Sequence, residues 1–348
     1  MLAQLGTAAL GARTLLIERQ RETGDALCGG FLSWRTLARL ERLGIDRSTL
    51  GGAPVHRVRM FAGARVADTA LPAAAVGVSR YRLDSLLLAL ADRSGAAIER
   101  GVAVRQANGC ELRLADGATI TGESLFLATG KHELRGLARD VAPDPDPWAG
   151  LRVRLHATPR LARLVGDAVE LHLFTGGYVG LVLQEDGTGN LCVALRKSAL
   201  ARGGGRPAAL FEMLGRHLPA LGERLAEGIV AEADAIAAVP YGWRAQETAP
   251  GLFRLGDQAA VIPSLAGEGM DIALASAMAA AAAWKKGGAG AAPAFQRGFA
   301  ASTRRPIAFA NLLKSVIERP VLAVPGVALF DRLPGAARAL ARLTRVPD

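Results

Sequence analysis

Cysteine is scarce: Cys28, Cys110 and Cys192 are the only three in 348 residues, and no two are close in sequence. That excludes a disulfide-stapled scaffold and a zinc pattern of paired thiols, and makes a reducing, cytoplasmic setting the default. Aromatic residues make up only 5%, and no basic block is interleaved with them. A nucleic-acid partner is therefore not expected. No run of about 18 strongly apolar residues occurs, so no membrane-spanning helix is expected. The most apolar tract, 270–284, carries Asp271 and is mostly alanine. A basic leader followed by an apolar stretch is missing, which argues against a secretory signal. None of His56, His156, His172 and His217 has a histidine four residues away or a cysteine nearby, so no metal site is expected. A G-x-S-x-G elbow is absent too, and with it the usual mark of nucleophilic hydrolysis.

What is present describes a globular chain of about two domains. Hydrophobic residues make up 50% and charged residues 21%. The formal net charge of +10 suits anionic ligands. Residues 2–10 read as the end of a helix with Gly11 as its C-cap, followed by the apolar run Thr14-Leu15-Leu16-Ile17 ending in Glu18. Such a run fits a strand buried on both faces. Helix, glycine, buried strand and acid form the second half of a dinucleotide-binding βαβ unit, with the acid placed to accept hydrogen bonds from a ribose. The first half, a strand with G-x-G-x-x-G about twenty residues before the acid, falls before residue 1. Two explanations stand: a start at an internal methionine, which we expect, or a lost phosphate loop.

Helical spacing predicts helices over 34–43, 83–93, 207–228 and 267–284 and a helical, basic tail from 293. Strands are expected within 56–71, over 97–105, and as a hairpin of 111–114 and 119–121 turning at Asp116-Gly117. Short buried strands are expected at 124–128 and 252–255. The stretch Ala142 to Pro147 is a stiff crossing into a region of strands from Leu151 to Lys197, where Asp186-Gly187 marks a hairpin.

Four stretches together resemble the FAD-dependent oxidoreductases of the p-hydroxybenzoate hydroxylase and geranylgeranyl reductase superfamily. They are Thr14-Leu15-Leu16-Ile17-Glu18-Arg19, Ser79-Arg80-Tyr81-Arg82-Leu83-Asp84, Leu127-Ala128-Thr129-Gly130-Lys131-His132, and Leu255-Gly256-Asp257-Gln258-Ala259-Ala260 with Pro263, Gly267, Gly269 and Met270. The last is similar to the family's G-D-A-A-x-x-x-P-x-x-G-x-G-M. The resemblance covers about residues 10–290. It implies that Glu18, with Arg19 beside it, holds the adenosine ribose and that Arg80 meets a flavin phosphate or the ring edge. It implies that Ala128, Thr129 and Gly130 end a strand at the cofactor, that Gly256 belongs to the cofactor-binding turn, and that the Asp257 carboxylate bonds a ribityl hydroxyl while the backbone amides after it face the pyrophosphate or flavin carbonyls. Pro263, Gly267, Gly269 and Met270 would form the turn and helix start against the flavin ring. Cys28-Gly29-Gly30 resembles the C-G-G segment of geranylgeranyl reductases, beside the flavin. Tyr178-Val179-Gly180-Leu181 stands where those reductases carry Y-x-W-x-F-P. Its missing tryptophan and proline favour the aromatic hydroxylases.

The expected fold class is α/β: an N-terminally truncated Rossmann-like FAD-binding domain (1–55, 78–140 and 250–290), a mostly antiparallel substrate domain (56–77 and 141–249) and a C-terminal helical segment (291–348). The expected function is FAD-dependent, NAD(P)H-linked oxidation of an apolar aromatic or polyketide-like small molecule. Reduction of isoprenoid double bonds is the first alternative, and a non-catalytic flavin-fold protein that purifies colourless is the second. NAD(P)H, as transient reductant, needs no fingerprint of its own in such families. No catalytic residue is assigned. His132 follows the flavin strand, but ordinary loop hydrogen bonding is its expected use. The apolar and basic tail is expected to pack on its own domains, with a membrane surface as the alternative.

Overall fold

The computed structural model describes residues 12–332, 335, 339 and 342–345. The helix expected over 2–10, with Gly11, lies outside them. The strands are β1 (Leu15–Glu18), β2 (Phe31–Leu32), β3 (Ala53–Ala62), β4 (Arg65–Gly77), β5 (Ala97–Arg100), β6 (Val104–Asn108), β7 (Glu111–Leu114) and β8 (Thr119–Thr121). They continue as β9 (Leu125–Leu127), β10 (Trp148–Leu155), β11 (Ala168–Phe174), β12 (Gly177–Leu183), β13 (Gly189–Arg196), β14 (Asp234–Val239) and β15 (Leu252–Arg254). The helices are α1 (Trp34–Arg42), α2 (Arg47–Leu50), α3 (Arg80–Arg93), α4 (Pro159–Val165), α5 (Lys197–Arg202), α6 (Pro207–His217), α7 (Pro219–Leu225), α8 (Gly269–Gly287), α9 (Ala292–Ile317) and α10 (Pro320–Arg332).

Eight strands form one sheet in the order β14-β10-β13-β12-β11-β3-β4-β2. Its pairs are antiparallel except β3 with β11. This is the mostly antiparallel sheet expected from the strand-rich middle of the chain. The back of the sheet packs Leu151, Val153, Val179, Leu181 and Leu191 against α4, α6 and α7. On the front, Tyr178, Leu173 and Ala194 cluster with Ala323, Val327 and Phe330 of α10. Both faces are covered, so these strands read as nearly continuous apolar runs.

Beside that sheet stand two parallel ribbons, β1 with β5 and β9 with β15. Leu37 and Leu40 of α1 and Leu83 and Leu87 of α3 form one buried cluster with Leu274 of α8. Burying each such leucine contributes roughly 1.5–3 kcal/mol. Ser33 and Ser79 cap α1 and α3, each accepting from the backbone N–H three residues on.

Several local expectations change. Strand 14–17 is not buried on both faces: Leu16 is buried but Leu15 is 38% exposed. Among the described residues β1 has β5 as its one neighbour, and its other edge faces a cavity. Residues 97–105 are two strands, because Gly101 takes φ 74 and sends β6 into another sheet with β7 and β8. Residues 207–228 are two helices, since Pro219 holds Leu218 extended (φ −121, ψ 86). Strand β14 was not expected. It is an exposed edge strand, so its Ala-rich sequence lacks an apolar alternation.

Candidate functional site

The ends of β1, β9 and β15, the loop before α8 and the front of the large sheet enclose a cavity of about 1640 Å³. Glu18, Arg19, Cys28, Gly29, Arg80, Ala128, Thr129, Gly130, Gly256, Asp257, Gly267, Gly269 and Met270 all line it. Pro263 does not. It is buried behind the lining loop, between Ile262 and Ser264, which do reach the cavity.

Each strand end is shaped by its own contacts. At β1, Glu18 Oε1 accepts from the Gln20 backbone N–H (2.8 Å), so the carboxylate caps its own turn. After β9, Gly130 takes φ 63, a left-handed turn suited to glycine. Thr129 Oγ1 donates to the His132 carbonyl (2.8 Å). His132 itself is exposed, and its carbonyl is the group the loop uses. After β15, Gly256 takes φ 55 and its N–H donates to Ser276 Oγ (2.9 Å).

Two residues that sequence reasoning missed lock these ends together. Gln258, fully buried, donates through Nε2 to the carbonyls of Gly130 and His132, both at 3.0 Å. Arg139 donates to the carbonyls of Asp257 (3.0 Å) and Lys131 (2.9 Å) and pairs with Glu133 (2.6 Å). Gln258 lies inside a quoted motif, but nothing in the sequence signals Arg139.

Charge gathers at this junction. Lys131 Nζ lies 3.1 Å from Asp257 Oδ2. Burial works against the Lys131 charge, but Asp257, with Cys28 and Tyr241 nearby, holds the ammonium above its ordinary range. Arg80 binds Asp84 through Nε (3.0 Å) and Nη2 (2.7 Å). Burial again opposes the charge, and Asp84 and Cys28 outweigh it and raise the guanidinium. Asp25 Oδ1 accepts from the Arg80 and Tyr81 N–H groups at the start of α3. Cys192 also lines the cavity, its thiol pushed up by burial, and donates to the Cys28 carbonyl at 3.1 Å.

The loop before α8 turns at Gly267 (φ 66), where Phe31 packs closely. No side chain caps α8, whose first residues Gly269 and Met270 reach the cavity. Its N-terminal N–H groups and dipole therefore favour negative charge there. A Cβ placed on Gly29, Gly130 or Gly269 would meet no atom within 4 Å. The glycines thus present bare backbone to open cavity, the surface that a flat, hydrogen-bonding ligand needs.

The opposite wall is apolar: Val58 and Met60 of β3, Val169 and Leu171 of β11, Leu313 of α9 and Phe330 of α10. Set into it is a chain of hydroxyls. Ser264 Oγ lies 2.6 Å from Tyr178 Oη and 2.7 Å from Tyr241 Oη. Burial raises both phenols above their ordinary range, so they stay protonated. Lys131 lies near Tyr241, which gives the chain a cationic end. Among the described residues, no three His, Cys, Asp or Glu side chains gather to hold a metal. No described helix is long and apolar enough to cross a membrane.

No family model matches the chain, and no curated protein matches its sequence. Solved structures match over nearly its whole length. PqsL of P. aeruginosa, in complex with 2-aminobenzoylacetate, has a TM-score of 0.75 at 16% identity, covering 94% of this chain and 95% of that one. The flavin-dependent brominase Bmp2, as a triple mutant, has a TM-score of 0.77 at 15% identity, covering 98% and 91%. The halogenase PltM, in complex with phloroglucinol and FAD, has a TM-score of 0.75 at 13% identity, covering 98% and 83%. At such identities the likeness is one of fold, and the chain has the α/β fold of the FAD-dependent monooxygenases and flavin-dependent halogenases.

Proposed function

We propose that the protein is an FAD-dependent oxidoreductase, reduced by NAD(P)H, that oxygenates an apolar aromatic molecule. The observation that carries this is the cavity itself. Bare glycines and an uncapped helix start form one wall, and an apolar sheet face forms the other. The first wall fits a flavin and the second a substrate. Residues 1–55, 78–140 and 250–290 would form the FAD-binding domain, 56–77 and 141–249 the substrate domain, and 291–348 the C-terminal helical segment.

In this reading Glu18 and Arg19 hold the adenosine ribose. Lys131 and Arg80 supply positive charge, and Asp257 accepts from the ribityl chain. Gly29, Gly267, Gly269 and Met270 border the ring. When bound, the flavin supplies two-electron reduction and the reaction with oxygen. The chain's own residues position the substrate and exclude water. Tyr178, one of the hydroxyl residues that line the cavity, donates to an oxygen of the substrate. The small ring compounds bound by PqsL and PltM support an aromatic substrate.

Reduction of an isoprenoid double bond is the second reading, supported by Cys28 lining the cavity near Arg80 and Lys131. The test is to titrate the purified protein with FAD, follow the visible spectrum, then mix with NADPH and phloroglucinol in air. Flavin uptake and a product heavier by one oxygen atom would support the proposal. A folded protein that takes up no FAD would overturn it. A reduced isoprenoid from a parallel anaerobic mix with NADPH and geranylgeranyl diphosphate, with no oxygenated product from the first mix, would install the second reading.

A further inference from the structure

Helix α9 carries Arg297, Arg304 and Arg305 on the same side as Ala300 and Ala301, positions three, four, seven and eight residues apart that share one face. With Arg244, Arg342 and Arg345 they line an open hollow of about 1180 Å³. Among the described residues no acidic one is on its wall. Arg244 spends Nη1 on the Ala300 carbonyl (2.6 Å), and Arg345 pairs with Glu268. Among the described residues the other four guanidinium groups make no hydrogen bond or ion pair.

Six cations around one hollow repel each other, and among the described residues Glu268, on Arg345, is the carboxylate that offsets part of that repulsion. Among the described residues, aromatic side chains, which a nucleic-acid track would use for stacking, are missing from the wall. Guanidinium forks match phosphate oxygens in pairs, which makes an arginine cluster a recognition surface for phosphate rather than for a single charge.

The hollow borders the main cavity. Arg345 lines both it and the main cavity. Its side chain stacks 4.4 Å from the Trp34 ring centre and reaches the Ala266 carbonyl at 3.5 Å. Ala266 belongs to the loop that the proposed function sets against the flavin ring. Arg345 therefore stands between the hollow and that loop, so an anionic ligand seated in the hollow would bear on a side chain that also borders the main cavity.

We propose that the hollow binds the phosphate groups of the reductant and selects the 2′-phosphorylated dinucleotide, NADPH, over NADH. This rests on the NAD(P)H-linked reading above. A third phosphate gives the unpaired guanidinium groups a partner that NADH lacks.

The experiment uses the FAD-loaded protein and the redox-inert NADP+ and NAD+, with calorimetry as the readout. NADP+ should bind at least about tenfold tighter, the value of one charge-assisted contact. Arg304→Ala with Arg305→Ala should weaken NADP+ by about 10- to 100-fold, with NAD+ changed less and the flavin spectrum unchanged. Arg304→Lys with Arg305→Lys should restore part of the loss. Equal binding of NADP+ and NAD+, or no effect of the double substitution, would overturn the proposal. So would inorganic pyrophosphate, or phosphatidylglycerol vesicles, binding through these arginines while NADP+ does not. If NADH reduces the flavin as well as NADPH does, this inference fails and the proposed function stands. If neither dinucleotide reduces it, the NAD(P)H-linked reading fails as well.

Discussion

Gly29→Ala, Gly269→Ala and Gly77→Ala make the same chemical change in three different surroundings. At Gly29 and Gly269 the added methyl would meet nothing within 4 Å. At Gly77 it would lie 1.9 Å from the Leu183 carbonyl oxygen, inside the large sheet. The first two should leave the fold alone, or stabilise it by about 0.4–1 kcal/mol through lost unfolded-state freedom. The third must force strands apart, and overpacking of that kind costs about 1–3 kcal/mol or more. Flavin binding should rank them differently. A methyl on Gly269 or Gly29 would hold a bound ring off the backbone. Losing two net hydrogen bonds of about 0.5–1.5 kcal/mol each weakens FAD roughly 5- to 100-fold. Thermal unfolding by circular dichroism and FAD titration by fluorescence quenching separate the two effects. If Gly29→Ala and Gly269→Ala bind FAD as tightly as the parent, those glycines do not face the ring and the assignment of the cavity wall is wrong.

Arg39→Ala should cost about 3–5 kcal/mol, because Arg39 Nε lies 2.9 Å from the fully buried Asp271 and the substitution breaks that buried ion pair. A urea midpoint equal to the parent's would refute this. Burial alone would raise the Glu170 carboxyl, but hydrogen bonds from His172 and Arg224 outweigh it and bring it down to about 2. A depressed folded value means stability that is full above the unfolded value of about 4.5 and is lost as pH falls toward about 2. Glu170→Gln should lower stability at neutral pH and flatten that acid slope, and urea unfolding across the window would expose a parent with no slope. Ser264→Ala removes both tyrosine contacts and should cost about 1–3 kcal/mol, since the buried Tyr178 hydroxyl loses its side-chain partner. Because burial raises both phenols, tyrosinate absorbance appearing below the ordinary tyrosine range would contradict the hydroxyl chain.

The strand ends were legible because their signals are local. A short apolar run, a turn glycine and an acid at Glu18, at 128–130 and at 256–257 need no knowledge of distant contacts. The large antiparallel sheet was legible for the same reason, through hairpin turns such as Asp186-Gly187. What escaped were contacts between residues far apart in the chain. Gln258 reaches Gly130 across 128 residues, Arg139 reaches Asp257 across 118, and Tyr178 reaches Ser264 across 86. Each partner alone is an ordinary polar residue, and only the closed fold makes it part of a site.

Arg80 shows the same division within one residue. Its motif pointed to a phosphate partner, yet Asp84, one helical turn along, already takes two of its N–H groups at 3.0 and 2.7 Å. An i,i+4 ion pair is cheap to order, because the helix has already fixed both backbones. A phosphate arriving at Arg80 must therefore compete with a bidentate carboxylate and gains only the difference. Lys131 is held in a similar way by Asp257. The carboxylates at the start of α8, Glu268 and Asp271, are paired with Arg345 and Arg39 and do not cap its N–H groups, and the bare glycine backbone is open. Those N–H groups and that backbone should contribute more to holding an anionic cofactor than the two cations, so Arg80→Met should weaken FAD less than Gly269→Ala does.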